Sequence, residues 1–210
     1  MQYDFLTIEG NIGSGKTSLS KMLAEQYNTD LLLEEFAENP FLPDFYKNPD
    51  RYAFQLELFF MAGRYEQMKE RLLNRDLFGQ KIISDYLFSK SLLFASVTLK
   101  SQEYKLYRKL FSIIYSSLPL PGISIYLWND IDRLLQNIKK RGRDYEQEIS
   151  ADYLEKIQNA YLNYFKNHHK KPYLILDVSD VDFVNNAEDF KKISSLIEDS
   201  NAPRNAVVRV

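Results

Sequence analysis

Five short apolar runs punctuate the chain: Phe5-Leu6-Thr7-Ile8, Leu31-Leu32-Leu33, Lys81-Ile82-Ile83-Ser84, Ile123-Ser124-Ile125-Tyr126-Leu127 and Tyr173-Leu174-Ile175-Leu176. They are too short for helices and rich in aliphatic residues, so they read as buried strands. Between them lie longer segments with helical spacing, at about 16–27, 50–74, 87–98, 102–117, 130–140, 150–168 and 187–199. In the second of these, Phe54, Leu58, Met61, Tyr65, Met68 and Leu72 recur every three to four residues and read as core. Strands alternating with helices predict an α/β fold, a parallel sheet of about five strands with helices on both faces. Ligands in such sheets bind beyond the carboxyl ends of the strands. The last ten residues, 201–210, fit neither period and read as a loosely held or non-native terminus, which leaves one domain over residues 1–200.

Composition narrows the function. The 210 residues are 45% hydrophobic and 27% charged, which is ordinary for a globular domain. Basic residues number 27 and acidic ones 29, so no general nucleic-acid coat is expected. There is no cysteine, which excludes disulfides, thiolate catalysis and cysteine–zinc sites. No apolar run approaches the ~18 residues of a membrane span, and Met1-Gln2-Tyr3-Asp4-Phe5 does not read as a signal peptide. A cytoplasmic location and no membrane partner are the expectations. The adjacent His168 and His169 are poorly spaced for a metal and read as solvated.

Three of the seven glycines fall within six residues. Gly10, Asn11, Ile12, Gly13, Ser14, Gly15, Lys16 and Thr17 form a complete G-x-x-x-x-G-K-[ST], after a strand and before a helix that continues from Ser18. Glycines let successive N–H groups point at phosphate oxygens, and the helix N-terminus adds positive potential. Lys16 supplies charge to the β- and γ-phosphates, and the Thr17 hydroxyl is a Mg²⁺ ligand. The motif indicates nucleotide phosphate binding; alone it does not separate a kinase from an ATPase or a switch protein.

Candidates for an acceptor side follow from the same strand ends. Glu34 and Glu35 close the second strand, and Asp85 closes the third, where a carboxylate suits Mg²⁺ or simply solvent. Arg141-Gly142-Arg143 ends a helix beside Lys139 and Lys140 and reads either as a cationic lid, at about 141–149, or as the basic end the helix dipole favours. Glu57 and Arg64 lie seven residues apart, near one helix stripe and ~10 Å apart along it. Glu57 sits among Leu56, Leu58, Phe59 and Phe60, where a carboxylate either reaches solvent or reads a ligand.

These blocks, in this order, resemble the deoxynucleoside kinase family, with its bacterial deoxyadenosine kinase-like branch nearest. The resemblance runs from about Tyr3 to Glu198. It rests on Gly10–Thr17, on Glu35-Phe36-Ala37-Glu38-Asn39-Pro40-Phe41-Leu42, on the stretch from Phe45 to Phe54, on Asp85 with Phe94-Ala95, and on Arg141-Gly142-Arg143-Asp144-Tyr145-Glu146. It implies a P-loop kinase fold, ATP and Mg²⁺ as cofactors, and a homodimer, for which the apolar helix from Leu87 to Leu99 is a candidate seam. It implies Glu35 as general base for a 5′-hydroxyl, Asp85 as the Mg²⁺-side acid, and Arg141 and Arg143 as lid arginines. Tyr46 and Glu146 would hold the sugar 3′-hydroxyl, while Glu57, Arg64 and Phe94 would face the base.

Two departures stand out. Where the family has Glu/Asp-Arg-Ser, this chain has Asp85-Tyr86-Leu87, so its arginine is missing and another cation such as Arg141 has to serve. Where an acid usually faces the Arg64 position, this chain has Ser89-Lys90-Ser91, which leaves Arg64 without that partner. The expected activity is ATP-dependent 5′-phosphorylation of deoxynucleosides, deoxyadenosine first, with a deoxynucleoside triphosphate as feedback inhibitor. Alternatives are a preference for deoxyguanosine or deoxycytidine, a thymidylate-type nucleoside monophosphate kinase, and a nucleotide-gated binding protein.

Overall fold

A computed structural model describes residues 1–35, 39–73 (backbone only at 73), 80–167 and 172–210. Phe36-Ala37-Glu38, and the histidines expected to be solvated, His168 and His169, lie outside the described residues.

Among the described residues, six parallel strands form one sheet: β1 (Phe5–Gly10), β2 (Asp30–Leu32), β3 (Ile82–Ser84), β4 (Ile123–Trp128), β5 (Tyr173–Asp177) and β6 (Ala206–Arg209), in spatial order β2-β3-β1-β4-β5-β6. Helices α1 (Lys16–Tyr27), α2 (Leu42–Lys47), α3 (Pro49–Met68), α4 (Lys90–Thr98), α5 (Ser101–Tyr115), α6 (Ile131–Arg141), α7 (Ala151–Asn167) and α8 (Ala187–Glu198) connect them. A π-helical turn, Lys69–Leu73, extends α3. Parallel strands are covered on both faces, which is why β1 is buried at every position. Leu6, Ile8, Ile83 and Ile125 pack with Leu19 and Leu23 of α1 and Ile193 and Ile197 of α8 on one face. On the other, Phe5 and Ile82 meet Met61 and Met68 of α3 and Tyr107 and Phe111 of α5. Tyr126 and Ile175 meet Ile157, Tyr161 and Phe165 of α7.

Three expectations need correction. The sheet has six strands rather than five, because the tail read as loose supplies β6. Asn205 N–H donates to Tyr173 O at 2.7 Å and Val210 N–H to Asp177 O at 3.1 Å, while Val208 and Val210 pack on the core. An edge strand of four residues carries too little pattern to stand out. The helix expected from 87 begins at Lys90, because Tyr86, Leu87 and Phe88 first turn into the core, at 0%, 6% and 1% exposure. Helix α4 packs against α3, α5 and α7 with Leu93 and Ala95 buried.

The chain visits β1, β2 and β3 on one side and then crosses to β4 on the other. The switch point thus falls at β1, and its carboxyl end is where a crevice opens.

Candidate active site

The loop from Gly10 to Gly15 leaves the buried end of β1 and enters α1. Gly13 and Gly15 adopt φ of 82° and 86°, and a Cβ there would meet Leu134 O at 2.7 Å and Phe183 Cζ at 2.8 Å, so glycine is required at both. The loop is held from below. Asn11 Nδ2 donates to Leu154 O at 2.8 Å, its Oδ1 accepts from Ile12 N–H at 2.9 Å, and Asn137 Nδ2 donates to Gly13 O at 2.8 Å. Lys16, 6% exposed, donates to Asn11 O at 3.3 Å. Burial, joined by the positive charge of Lys90, lowers its ammonium to about 8.

Thr17 Oγ1 donates to Asp85 Oδ2 at 2.5 Å across 68 residues of chain, and Asp85 Oδ1 accepts the Glu34 N–H at 2.8 Å. The ends of β2 and β3 are therefore tied to the phosphate loop. Thr17 and Asp85 present two hard oxygens to one point, which suits a Mg²⁺ that takes its remaining ligands from phosphates and water. Burial raises the Asp85 carboxyl, and Glu34 adds to it.

Two cavities meet here. The first is a groove along Gly13–Ser18, walled by Arg133, Asn137 and Lys140 of α6 and by the loop after β5, Val181–Asn185. Its form and basic wall suit a nucleotide triphosphate. Of the residues expected to bind the cofactor, Gly13, Ser14, Gly15, Lys16, Thr17 and Ser18 line it. Gly10 and Asn11 are buried beneath the loop as its support, and Ile12 turns into the second cavity. Arg133 and the loop Val181–Asn185 were missed by sequence reading. The signal was their place just past the carboxyl ends of the fourth and fifth expected strands, where ligands bind in such sheets.

The second cavity gathers Tyr46, Glu57, Arg64, Phe94, Arg141, Arg143 and Glu146, all expected on the acceptor side, with Lys16 and Lys90. Lys16, Arg141 and Arg143 line both cavities. Glu57 is 1% exposed; its Oε1 accepts from Thr98 Oγ1 at 2.9 Å, and its Oε2 is buried without a hydrogen-bond partner. Burial pushes its carboxyl up to about 7, against the opposing pull of Arg64. Tyr46 stacks on Tyr145 at 6.2 Å between ring centroids, and burial with the nearby Glu146 raises its phenol. Glu146 is itself gripped by both lid arginines, by Arg141 and by Arg143 at 3.2 Å.

Arg64 does have an acidic partner, contrary to expectation, and it comes from the end of β2. Glu34 Oε1 accepts from Arg64 Nε at 2.7 Å, while Arg64 Nη1 donates to Ser91 Oγ at 2.7 Å. Lys90 occupies the other oxygen, Glu34 Oε2. Burial alone would raise the Glu34 carboxyl, but Arg64 and Lys90 outweigh it and hold it at about 2. Glu35, the expected base, is exposed and lines neither cavity. Glu34 is buried and its neighbour Glu35 is exposed, so the two side chains face different ways.

A phosphate loop closing β1 of a parallel sheet, an acid on the neighbouring strand and a second cavity under basic residues define a P-loop kinase fold. Residues 6–200 match the family model for deoxynucleoside kinase, and the chain belongs to that family. It is 34% identical over 199 residues to deoxyguanosine kinase of Bacillus subtilis (strain 168), covering 93% of this chain and 96% of that one. It is 29% identical over 206 residues to deoxyadenosine/deoxycytidine kinase of the same organism, covering 93% and 94%. A solved structure of deoxyadenosine kinase from M. mycoides with bound dATP shares the fold, with a TM-score of 0.80 at 22% identity, covering 93% of this chain and 99% of that one.

Proposed function

We propose that this protein moves the γ-phosphoryl of ATP to the 5′-hydroxyl of purine deoxynucleosides. The observation that carries the reading is Lys16. It lines both cavities beside the Thr17–Asp85 pair, and the second cavity holds Tyr46, Glu57, Arg64, Phe94 and Glu146 together. In this reading Lys16 and the loop N–H groups hold the β- and γ-phosphates of ATP. Thr17 and Asp85 would hold Mg²⁺, which when bound neutralises phosphate charge. Glu35 is the expected base: it has to turn inward from its exposed position to take the 5′-hydroxyl proton as that oxygen bonds to the γ-phosphorus and ADP leaves.

The preference for deoxyadenosine is here widened to both purines. The unpartnered Glu57 Oε2, when ionised, accepts the N1–H and N2–H₂ of guanine, and the relative at 34% identity is a deoxyguanosine kinase. Thymine turns a carbonyl toward that carboxylate and is the poorest fit. A monophosphate acceptor is disfavoured because the arginines of the acceptor cavity are each held by an acid, Arg64 by Glu34, Arg141 and Arg143 by Glu146. The reading includes a cytoplasmic homodimer inhibited by its end-product triphosphate, whose base would enter the acceptor cavity while its phosphates reach Gly13–Thr17. The test is ATP with the four deoxynucleosides, adenosine and the deoxynucleoside monophosphates, following which acceptor gains phosphate. Transfer to monophosphates alone would overturn the reading.

A further inference from the structure

The connection from β3 to α4 follows Asp85 directly, where the resemblance implies an added charge at the site. Its next residues bring none. Tyr86 is fully buried and donates through its hydroxyl to Gln67 Oε1 at 2.9 Å, and Leu87 N–H donates to Glu9 Oε1. Lys90 is the first cation after Asp85, and it opens α4. It is 3% exposed, a burial lysine rarely accepts without a partner, and Glu34 is that partner.

Its location matters more than its burial. Lys90 lines the acceptor cavity with Lys16, and Glu34, which holds it, lines the donor groove. Lys90 therefore stands on the seam between the cavities, where a phosphoryl group must cross. Its charge opposes that of Lys16 across the seam. Lys16 and Lys90 are both buried and both line the acceptor cavity, and an anion arriving there relieves their mutual repulsion. Lys16 apart, the acceptor cavity's other cations are arginines held by acids, Arg64 through three nitrogens to Glu34 and Ser91, Arg141 and Arg143 to Glu146. An ammonium has three N–H donors and can hold more than one oxygen.

We infer that Lys90 is a further catalytic residue, whose ammonium, aimed by Glu34, faces the acceptor 5′-oxygen and the γ-phosphoryl in transit. It supplies the cation that Asp85-Tyr86-Leu87 does not. The 5′-oxygen bonds to the γ-phosphorus, the bridging bond to ADP breaks, and Lys90 gives up no proton; it stabilises charge that peaks in the transition state. Glu34 is a positioning residue.

The inference rests on the phosphoryl transfer proposed above, and the test separates the two. kcat, both KM values and the equilibrium binding of ATP and of deoxyguanosine are measured for wild type, Lys90→Gln, Lys90→Arg and Lys90→Ala. Lys90→Gln should lower kcat by ~10²–10³-fold, the scale of losing one transition-state donor, with both substrates bound within a few fold of wild type. Lys90→Arg should recover part of kcat, and methylammonium should restore turnover to Lys90→Ala, a readout that a purely structural lysine would not give. Glu34 keeps Arg64 in these variants, so the fold should persist; thermal melting checks this, and the Arg variant carries the test if Gln unfolds. A kcat for Lys90→Gln within threefold of wild type, or a loss confined to KM, overturns the role of Lys90 and leaves the kinase reading standing. A wild type that phosphorylates no deoxynucleoside overturns both.

Discussion

Arg64 and Glu34 face each other as a buried two-pronged pair, Nε at 2.7 Å and Nη2 at 2.5 Å from one carboxylate oxygen, with Lys90 on the other oxygen. One carboxylate thus carries two cations, so removing it should be severe. Breaking a buried pair typically costs about 3–5 kcal/mol. The Glu34 carboxyl is held at about 2, below its ordinary 4.5. A depressed carboxyl contributes stability that is complete above 4.5 and is lost as pH falls through about 2, here on the order of 3 kcal/mol. Urea unfolding of wild type and Glu34→Gln should show a large difference at pH 6 that narrows as pH drops below 4.5. A difference that stays constant down to the lowest pH at which wild type folds would remove the ion pair as its cause.

The two neighbouring acids should separate in kinetics. Glu35→Gln should keep ATP binding and lose ~10²–10⁴-fold in turnover, the contribution of a positioned base. Asp85→Asn should instead raise the Mg²⁺ concentration needed for half-maximal rate, because Asp85 shares its oxygen site with Thr17. Metal titrations of both variants decide. A Glu35→Gln enzyme near wild-type rate would move the base to another residue.

The sheet and the phosphate loop were legible in sequence because local pattern determines them. Strand β1 opens on the run Phe5-Leu6-Thr7-Ile8 and is buried at every position, and Gly13 and Gly15 mark backbone that only glycine adopts comfortably. The acceptor residues were legible only through the ordered blocks of the resemblance, since no local period brings Tyr46, Glu57 and Glu146 together. What stayed hidden was pairing across long separations. Glu34 finds Arg64 at a separation of 30 residues and Lys90 at 56, and nothing in the spacing shows which of Glu34 and Glu35 turns inward. Strand β6 was hidden for a different reason: its four residues lie at the sheet edge, with Val207 and Arg209 exposed, so half of a short pattern is polar or solvated.

The sugar end of the cavity should exclude ribose. Tyr46 and Glu146 lie close enough that the carboxylate raises the phenol, and both are largely enclosed. Each would lose a partner if the 3′-hydroxyl were absent, about 1–3 kcal/mol apiece. Dideoxynucleosides should therefore fall at least tenfold in kcat/KM against deoxynucleosides, and Tyr46→Phe should erase part of that gap. The same hold on the 3′-hydroxyl should leave no room for a second hydroxyl at C2′, and equal kcat/KM for adenosine and deoxyadenosine would overturn that.

Base choice should depend on pH through Glu57. Burial raises its carboxyl to about 7, so the group is half ionised near neutrality. A raised carboxyl contributes stability that is complete below 4.5 and is lost as pH rises through about 7. Glu57→Gln, neutral throughout, should thus gain stability over wild type as pH rises from about 4.5 to about 7, and hold that gain above 7. The same proton changes the hydrogen-bond pattern. Protonated, Glu57 offers one donor and one acceptor, as glutamine does, which suits adenine N1 and its exocyclic amine. Ionised, it offers acceptors only, which suits guanine N1–H and N2–H₂. The ratio of kcat/KM for deoxyguanosine over deoxyadenosine should rise ~10-fold from pH 6 to pH 8.5, the worth of about one hydrogen bond gained or left unmade. Glu57→Gln should give a flat ratio that favours deoxyadenosine at every pH. The variant also controls for other titrating groups, because Arg64, Lys90 and Thr98 still face the position. A wild-type ratio independent of pH, or a glutamine variant that tracks wild type, would take Glu57 out of base reading.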